Sequence, residues 1–198
     1  MPSPLPSRGP LSPGDAADRA GRILAAARTL GARAGVGALT LQAIAAEAGV
    51  SKALLLYHYQ GKSALLDALV ALLGEEGAAR LEEASGAPRA MEAWRGLLSD
   101  ASTRSDAALL NALALEREVD PAAVRRAEVA REQAATALAV AVLRDLGLEP
   151  RIPAPALGRI LLRQLDGLAA ATPHGEMPAP ALEADLDTFA LALIGLAR

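Results

Sequence analysis

Apolar residues recur along most of this chain at the three-to-four residue spacing of helices buried on one side. Ile23, Leu24, Ala27 and Leu30 share one face of a segment that opens near Asp15, an expected N-cap, and ends at Gly35 to Gly37. Thr40–Ala48 reads as a short helix with Thr40 as its cap, and Ser51 caps a third from about Ser51 to Tyr57. Beyond Gly61 a longer helix carries Leu65, Leu66, Leu69, Val70, Leu72 and Leu73. Four or five longer helices follow, over roughly Arg89–Ser102, Asp106–Val119, Pro121–Leu146, Ala154–Thr172 and Pro180–Ala197. Breakers separate them: Asp120-Pro121, then Gly147 with Pro150 and Pro153, then Pro173 to Pro180. Alternating runs of strand length are absent, so the expected fold is all-α.

The same pattern divides the chain. Residues 1–14 (MPSPLPSRGPLSPG) are rich in Pro, Ser and Gly and read as a disordered arm. Residues 15–62 form a head of short helices, 63–84 a connecting helix, and 85–198, beyond a linker-like Ser85-Gly86-Ala87-Pro88, a larger helical body.

Composition narrows the chemistry. Of 198 residues, 52% are hydrophobic and 22% charged, which excludes a disordered chain. Ala and Leu abound, while only Tyr57, Tyr59, Trp94 and Phe189 are aromatic, a bias that favours helix over sheet. The chain has no Cys, and its two histidines are His58 and His174, which excludes a disulfide framework, a Cys nucleophile and a thiolate or multi-His metal site. Neither a P-loop nor G-x-S-x-G occurs, and Gly35-Val36-Gly37 is a G-x-G fragment between helices rather than after a strand. No enzymatic activity and no cofactor are expected. An apolar run of ~20 residues is also missing, and the first residues lack an apolar signal region, so a soluble cytoplasmic protein is expected. Charge is uneven: residues 1–62 hold seven basic and three acidic side chains (net +4), residues 63–198 thirteen and twenty (net -7). A basic head on an acidic body points to the head as the part that meets a polyanion.

The stretch Thr40–Lys62, TLQAIAAEAGVSKALLLYHYQGK, carries the most information. Two short helices joined by a tight turn on Gly49, with Leu41, Ile44, Ala45 and Val50 as a shared apolar face, make a helix-turn-helix whose second helix can enter a major groove. This stretch resembles the DNA-binding domain of the TetR family of bacterial transcription regulators. The resemblance rests on Thr40, on Ile44-Ala45-Ala46-Glu47-Ala48-Gly49-Val50-Ser51, on Leu55-Leu56-Tyr57-His58-Tyr59 and on Lys62, with Arg22-Ile23-Leu24-Ala25-Ala26-Ala27 like the family's first helix and Leu65-Leu66 like its fourth. The chain departs from the family at Leu56, where Tyr is common, and at Tyr59, where Phe is common. The resemblance implies that double-stranded operator DNA is the partner. Thr40, His58 and Lys62 would contact phosphates, and Gln42, Ser51, Lys52, Leu54 and Tyr57 would contact groove or backbone. Gln42 could pair with adenine, Lys52 with guanine, and Leu54 could touch a thymine methyl. Tyr59 is expected in the core.

For the body the resemblance implies a ligand-binding and dimerisation domain. Two stripes, Leu157, Ile160, Leu161, Leu165 and Leu168, then Leu182, Leu186, Phe189, Leu193 and Ile194, are expected to form a homodimer interface. Pocket candidates are Met91, Trp94, Leu98, Leu109, Leu113, Glu116, Gln133, Leu138 and Arg163, around an aliphatic or compact hydrophobic effector. The expected function is a transcriptional regulator, a repressor released from DNA by that effector. The rival reading is a helical ligand-binding or protein-interaction module without sequence-specific DNA binding.

Overall fold

The computed structural model describes residues 13–171 and 179–198. Most of the arm 1–14 and most of the Pro173-to-Pro180 breaker, His174 included, therefore lie outside the described residues. Those that are described form nine α-helices: α1 (Pro13–Ala34), α2 (Leu41–Glu47), α3 (Lys52–Tyr59), α4 (Lys62–Gly86), α5 (Ala90–Ser99), α6 (Ala101–Leu113), α7 (Pro121–Asp145), α8 (Ala154–Ala171) and α9 (Ala179–Gly195), with a 3-10 turn at Val36–Ala38. An isolated bridge between Pro150 and Ala197 is the one strand-like pairing among them. The fold is all-α, as the periodicity predicts.

Local chemistry sets the boundaries. Thr40 Oγ1 accepts the Ala43 amide and Ser51 Oγ accepts the Leu54 amide, each at 3.1 Å, so both expected caps are in place. Gly49 at φ 65 turns the chain between α2 and α3 in the left-handed region that glycine tolerates. Four boundaries differ from the sequence expectation. Helix α1 begins at Pro13, two residues ahead of Asp15. Helix α4 runs through Gly86, so the Ser85–Pro88 stretch is its last turn and exit rather than a linker. The break between α5 and α6 falls at Asp100, and α6 stops at Leu113 instead of reaching Val119. Asp100 explains its break: its carboxylate accepts the Thr103 amide at 2.8 Å and the hydroxyls of Ser102 and Thr103 at 2.6 and 2.7 Å. Burial pushes this carboxyl up, but those hydrogen bonds outweigh it and hold it at about 2.

Two cores result. One holds Ile23, Leu30, Leu39, Ile44, Leu55, Leu65 and Leu69 from the head, together with Leu109, Leu113 and Val119. The other fills the body around Trp94, Leu98, Leu138, Leu143, Leu157 and Leu161. Helices α4, α6 and α7 pass through both. The pairings Asp67 with Asp120, Gly74 with Ala127 and Gly77 with Arg131 run in the same order, so α4 and α7 lie parallel. A Cβ on Gly74 would sit 2.4 Å from that of Ala127, which explains the small residues along this seam. Helix α8 runs back along α7, with Gly158 against Thr136 and Arg159 bonded to Glu132 at 2.8 Å.

The stripes expected at a dimer interface have a different place. Leu157, Leu161, Leu165, Leu168, Leu182, Leu186 and Leu193 are all buried within the subunit's own core, and Ile160 and Phe189 are half-buried. Phe189 packs on Trp94, ring centroids 6.2 Å apart. Within a single subunit most of these side chains are used where α8 and α9 cover α7 and α5. The large apolar side chains that face outward on α9 are Leu191 at 71% and Ile194 at 42% exposure.

Candidate nucleic-acid interface

Helices α2 and α3 pack against each other and against α1. Leu55 is fully buried and Tyr59 donates its hydroxyl to the Ala20 carbonyl at 2.9 Å, so this side of α3 is fastened to α1. Burial pushes the Tyr59 phenol up, in keeping with a core position. With α3 anchored on that side, the arc of Lys52, Ala53, Leu56 and Tyr57 is left exposed. Leu56 is 37% and Tyr57 75% exposed, large values for apolar side chains.

The expected contact residues divide. Thr40, Gln42, Ser51, Lys52 and Tyr57 are exposed on the outer surface. The hydroxyls of Thr40 and Ser51 accept one amide each, which leaves their protons free to donate to a phosphate. Leu54 is half-buried and lies about 160° from Leu56 around the helix axis, so it does not share the exposed arc. His58 is half-buried; its Nε2 is covered and has no hydrogen-bond partner, and its ring meets the edge of Tyr57 at 5.4 Å. In this conformation that nitrogen has no path to a phosphate.

Lys62, at the start of α4, is engaged within the chain: its ammonium lies 2.6 Å from Glu118 in the turn between α6 and α7. Two further bonds hold that turn to α4. Ser63 Oγ donates to the Glu118 carbonyl at 2.7 Å, and Asp67 accepts the Asp120 amide at 2.8 Å. Other head cations are paired as well, Arg22 with Asp18 at 3.5 Å and Arg33 with Glu47 at 2.9 Å. Lys52 has no ion pair among the described residues.

A second ionic group joins head to body. Arg28 on α1 makes a two-pronged contact with Asp106 on α6 and reaches Glu76 on α4 at 2.9 Å. Arg80 bonds the same Asp106 at 2.8 Å. The hydrogen bond to Asp106 is the main cause that raises the Arg28 pKa further above its ordinary value. Nearby, Gly31 meets Leu109 so closely that an added Cβ would lie 2.7 Å from it.

The expected pocket residues do not converge. Trp94, Leu98 and Leu138 fill the body core, with Met91 half-buried beside them. Leu109 and Leu113 belong to the head core, and Glu116 lies in the turn after α6. Gln133 and Arg163 are exposed. The interior cavity lies elsewhere, among Leu73, Gly77, Arg80, Leu81, Leu97, Thr103, Asp106, Leu110, Arg131 and Leu165, and measures about 20 Å³, room for one water. A larger recess of about 330 Å³ opens between α1 and α6, beside Gly31, Arg33, Val36, Ser105 and Leu109.

Residues 23–69 match the bacterial regulatory proteins of the tetR family. No curated protein matches the sequence significantly. Solved structures share the fold over almost the whole chain. PfmR, a TetR-family transcriptional regulator from Thermus thermophilus, is 24% identical, with a TM-score of 0.65 over 89% of this chain and 100% of that one. A transcriptional regulator from Rhodococcus sp. Rha1 is 22% identical, with a TM-score of 0.69 over 90% and 97%. A TetR-family transcription regulator from Marinobacter aquaeolei is 20% identical, with a TM-score of 0.65 over 91% and 96%.

Proposed function

We propose that this chain is a tetR-family regulator, on the match of residues 23–69 to that family, and that it represses transcription as a homodimer on operator DNA and is released by a small ligand. The observation that carries the DNA-binding part is the exposed arc of α3 beside the capping hydroxyls of Thr40 and Ser51. A helix fastened to α1 on one side and open on the other fits a major groove, and the hydroxyls, with Gln42 and Lys52, suit the flanking phosphates. On the duplex a phosphate displaces Glu118 from Lys62, exchanging one anion for another at the same ammonium.

Helix α6 couples ligand to head. Its first half, Thr103 and Asp106, borders the interior cavity; its second half, Leu109 and Leu113, is part of the head core; the turn beyond it carries Glu118. A ligand that widens the cavity shifts α6, and with it the Arg28–Asp106 contact and the head. The cavity wall sets leucines beside Arg80, Asp106 and Arg131, which suits a compact apolar molecule with one anionic or hydrogen-bonding group. To weaken operator binding ~10-fold the ligand must prefer one state by ~1.4 kcal/mol. The second copy docks on the outward face of α8 and α9, where Leu191 and Ile194 stand exposed.

Selection of duplexes from a random library by the purified protein tests the reading. It predicts enrichment of an inverted repeat whose half-sites lie ~34 Å apart or a multiple of that. No enrichment over the input library would favour the protein-interaction reading instead.

A further inference from the structure

We infer that the recognition helix reads its half-site chiefly through thymine methyl groups, with Leu56 as the specificity-determining residue. The inference rests on the DNA-binding reading above. Taking ~100° per residue, Lys52, Leu56, Ala53 and Tyr57 follow one another around α3 within an arc of about 140°, and Leu56 and Ala53 hold its middle. All four are exposed, whereas Leu55 is fully buried and Leu54, His58 and Tyr59 are half-buried on the remaining sides. The centre of the surface that would meet base edges is therefore apolar, and its one cation, Lys52, stands at an edge. An aliphatic or alanyl side chain cannot pair with the donors and acceptors of the groove; the base feature it complements is the thymine C5 methyl. Lys52 adds a preference for guanine at one end of the same half-site.

The surroundings favour DNA over an apolar protein partner. Ser51 caps the end of α3 where the arc begins and Thr40 caps α2, each hydroxyl keeping its proton free to donate, and residues 1–62 carry a net charge of +4. An exposed leucine framed by phosphate-binding groups suits a groove lined by methyls better than a second apolar surface.

The test uses the full-length protein and the duplex obtained by selection. Each thymine of a half-site is replaced in turn by uracil, which deletes the methyl and keeps every hydrogen-bonding group. One or two positions should cost about fourfold in affinity per half-site, the amount expected for one buried methyl-sized group. Leu56→Ala should bind the parent duplex more weakly and lose the penalty at one of those positions. Lys52→Ala should keep it, and thermal unfolding should be unchanged in both variants. Uracil tolerated everywhere, or full methyl sensitivity retained in Leu56→Ala, would overturn the inference and leave the regulator reading standing. A selection that enriches no duplex would overturn both.

Discussion

Head and body are built from the same Ala- and Leu-rich helices, yet they distribute their chemistry in opposite ways. In the head the proposed DNA contacts lie within 23 consecutive residues, Thr40 to Lys62, and Thr40, Gln42, Ser51, Lys52 and Tyr57 among them face outward; local rules of capping, turning and helical period place these. In the body and at its junction with the head the polar groups that matter come from helices far apart in sequence: Arg28 of the head meets Glu76, Arg80 and Asp106, with Arg131 close by, only after α1, α4, α6 and α7 have packed. A surface site can thus be read along the chain, whereas an internal one depends on which faces the fold presses together. Mutations should separate the two regions, costing stability in the body and DNA affinity on the outer surface of the head.

The largest expected effect is in the body core. Leu138→Ala should lower the unfolding free energy by roughly 2–5 kcal/mol in denaturant titration, while the folded fraction keeps its operator affinity. Asp106→Ala should come next. It strips Arg28 and Arg80 of a shared carboxylate and is expected to cost roughly 2 kcal/mol, with weakened coupling between ligand and DNA as a second readout. If Asp106→Ala left coupling intact, the ionic group would be only a structural tie between the two regions.

Asp100→Ala should cost about 1 kcal/mol, the ordinary value of a lost N-cap. Its pH dependence has a definite sign. The carboxyl sits at about 2 in the folded protein, below the ordinary value near 4, so its contribution is complete above about pH 4 and disappears as the pH falls toward 2. A pH series of thermal unfolding should show that Asp100→Asn flattens this window. The smallest effect sharpens the comparison most. Glu118→Gln should raise operator affinity by about two- to fivefold, because an exposed pair is worth ~1 kcal/mol or less and DNA no longer competes with it for Lys62. Unchanged affinity would mean that Lys62 takes no part in DNA binding.

How much of this the sequence disclosed follows the same division. Thr40, Ser51 and Gly49 were legible because each acts through its own neighbours, and Tyr59 because the family pattern puts an aromatic core residue there. Leu56 and Ala53 were overlooked, though a signal existed. Three successive leucines span about 200° of a helix, more than the core-facing stripe of a surface helix, so one of them had to face out. That Leu56 rather than Leu54 faces out follows from the way α3 leans on α1 through Leu55 and Tyr59, a tertiary fact. The stripes of α8 and α9 were recognisable as buried, but periodicity reports burial without saying against what, and the subunit's own core claims them. Glu118 gave no local signal, since only the parallel packing of α4 and α7 brings its turn to Lys62.

The central claim, that the outer surface of α2 and α3 holds duplex DNA, is tested most directly by fluorescence anisotropy of the full-length protein on its selected duplex at several salt concentrations. The account predicts competitor-resistant binding whose log affinity falls linearly with log salt, by ~0.9 for each phosphate contact, with a shallower slope for Lys52→Ala and Lys62→Ala. Binding that ignores both duplex sequence and salt, or a slope identical in wild type and both lysine variants, would contradict it.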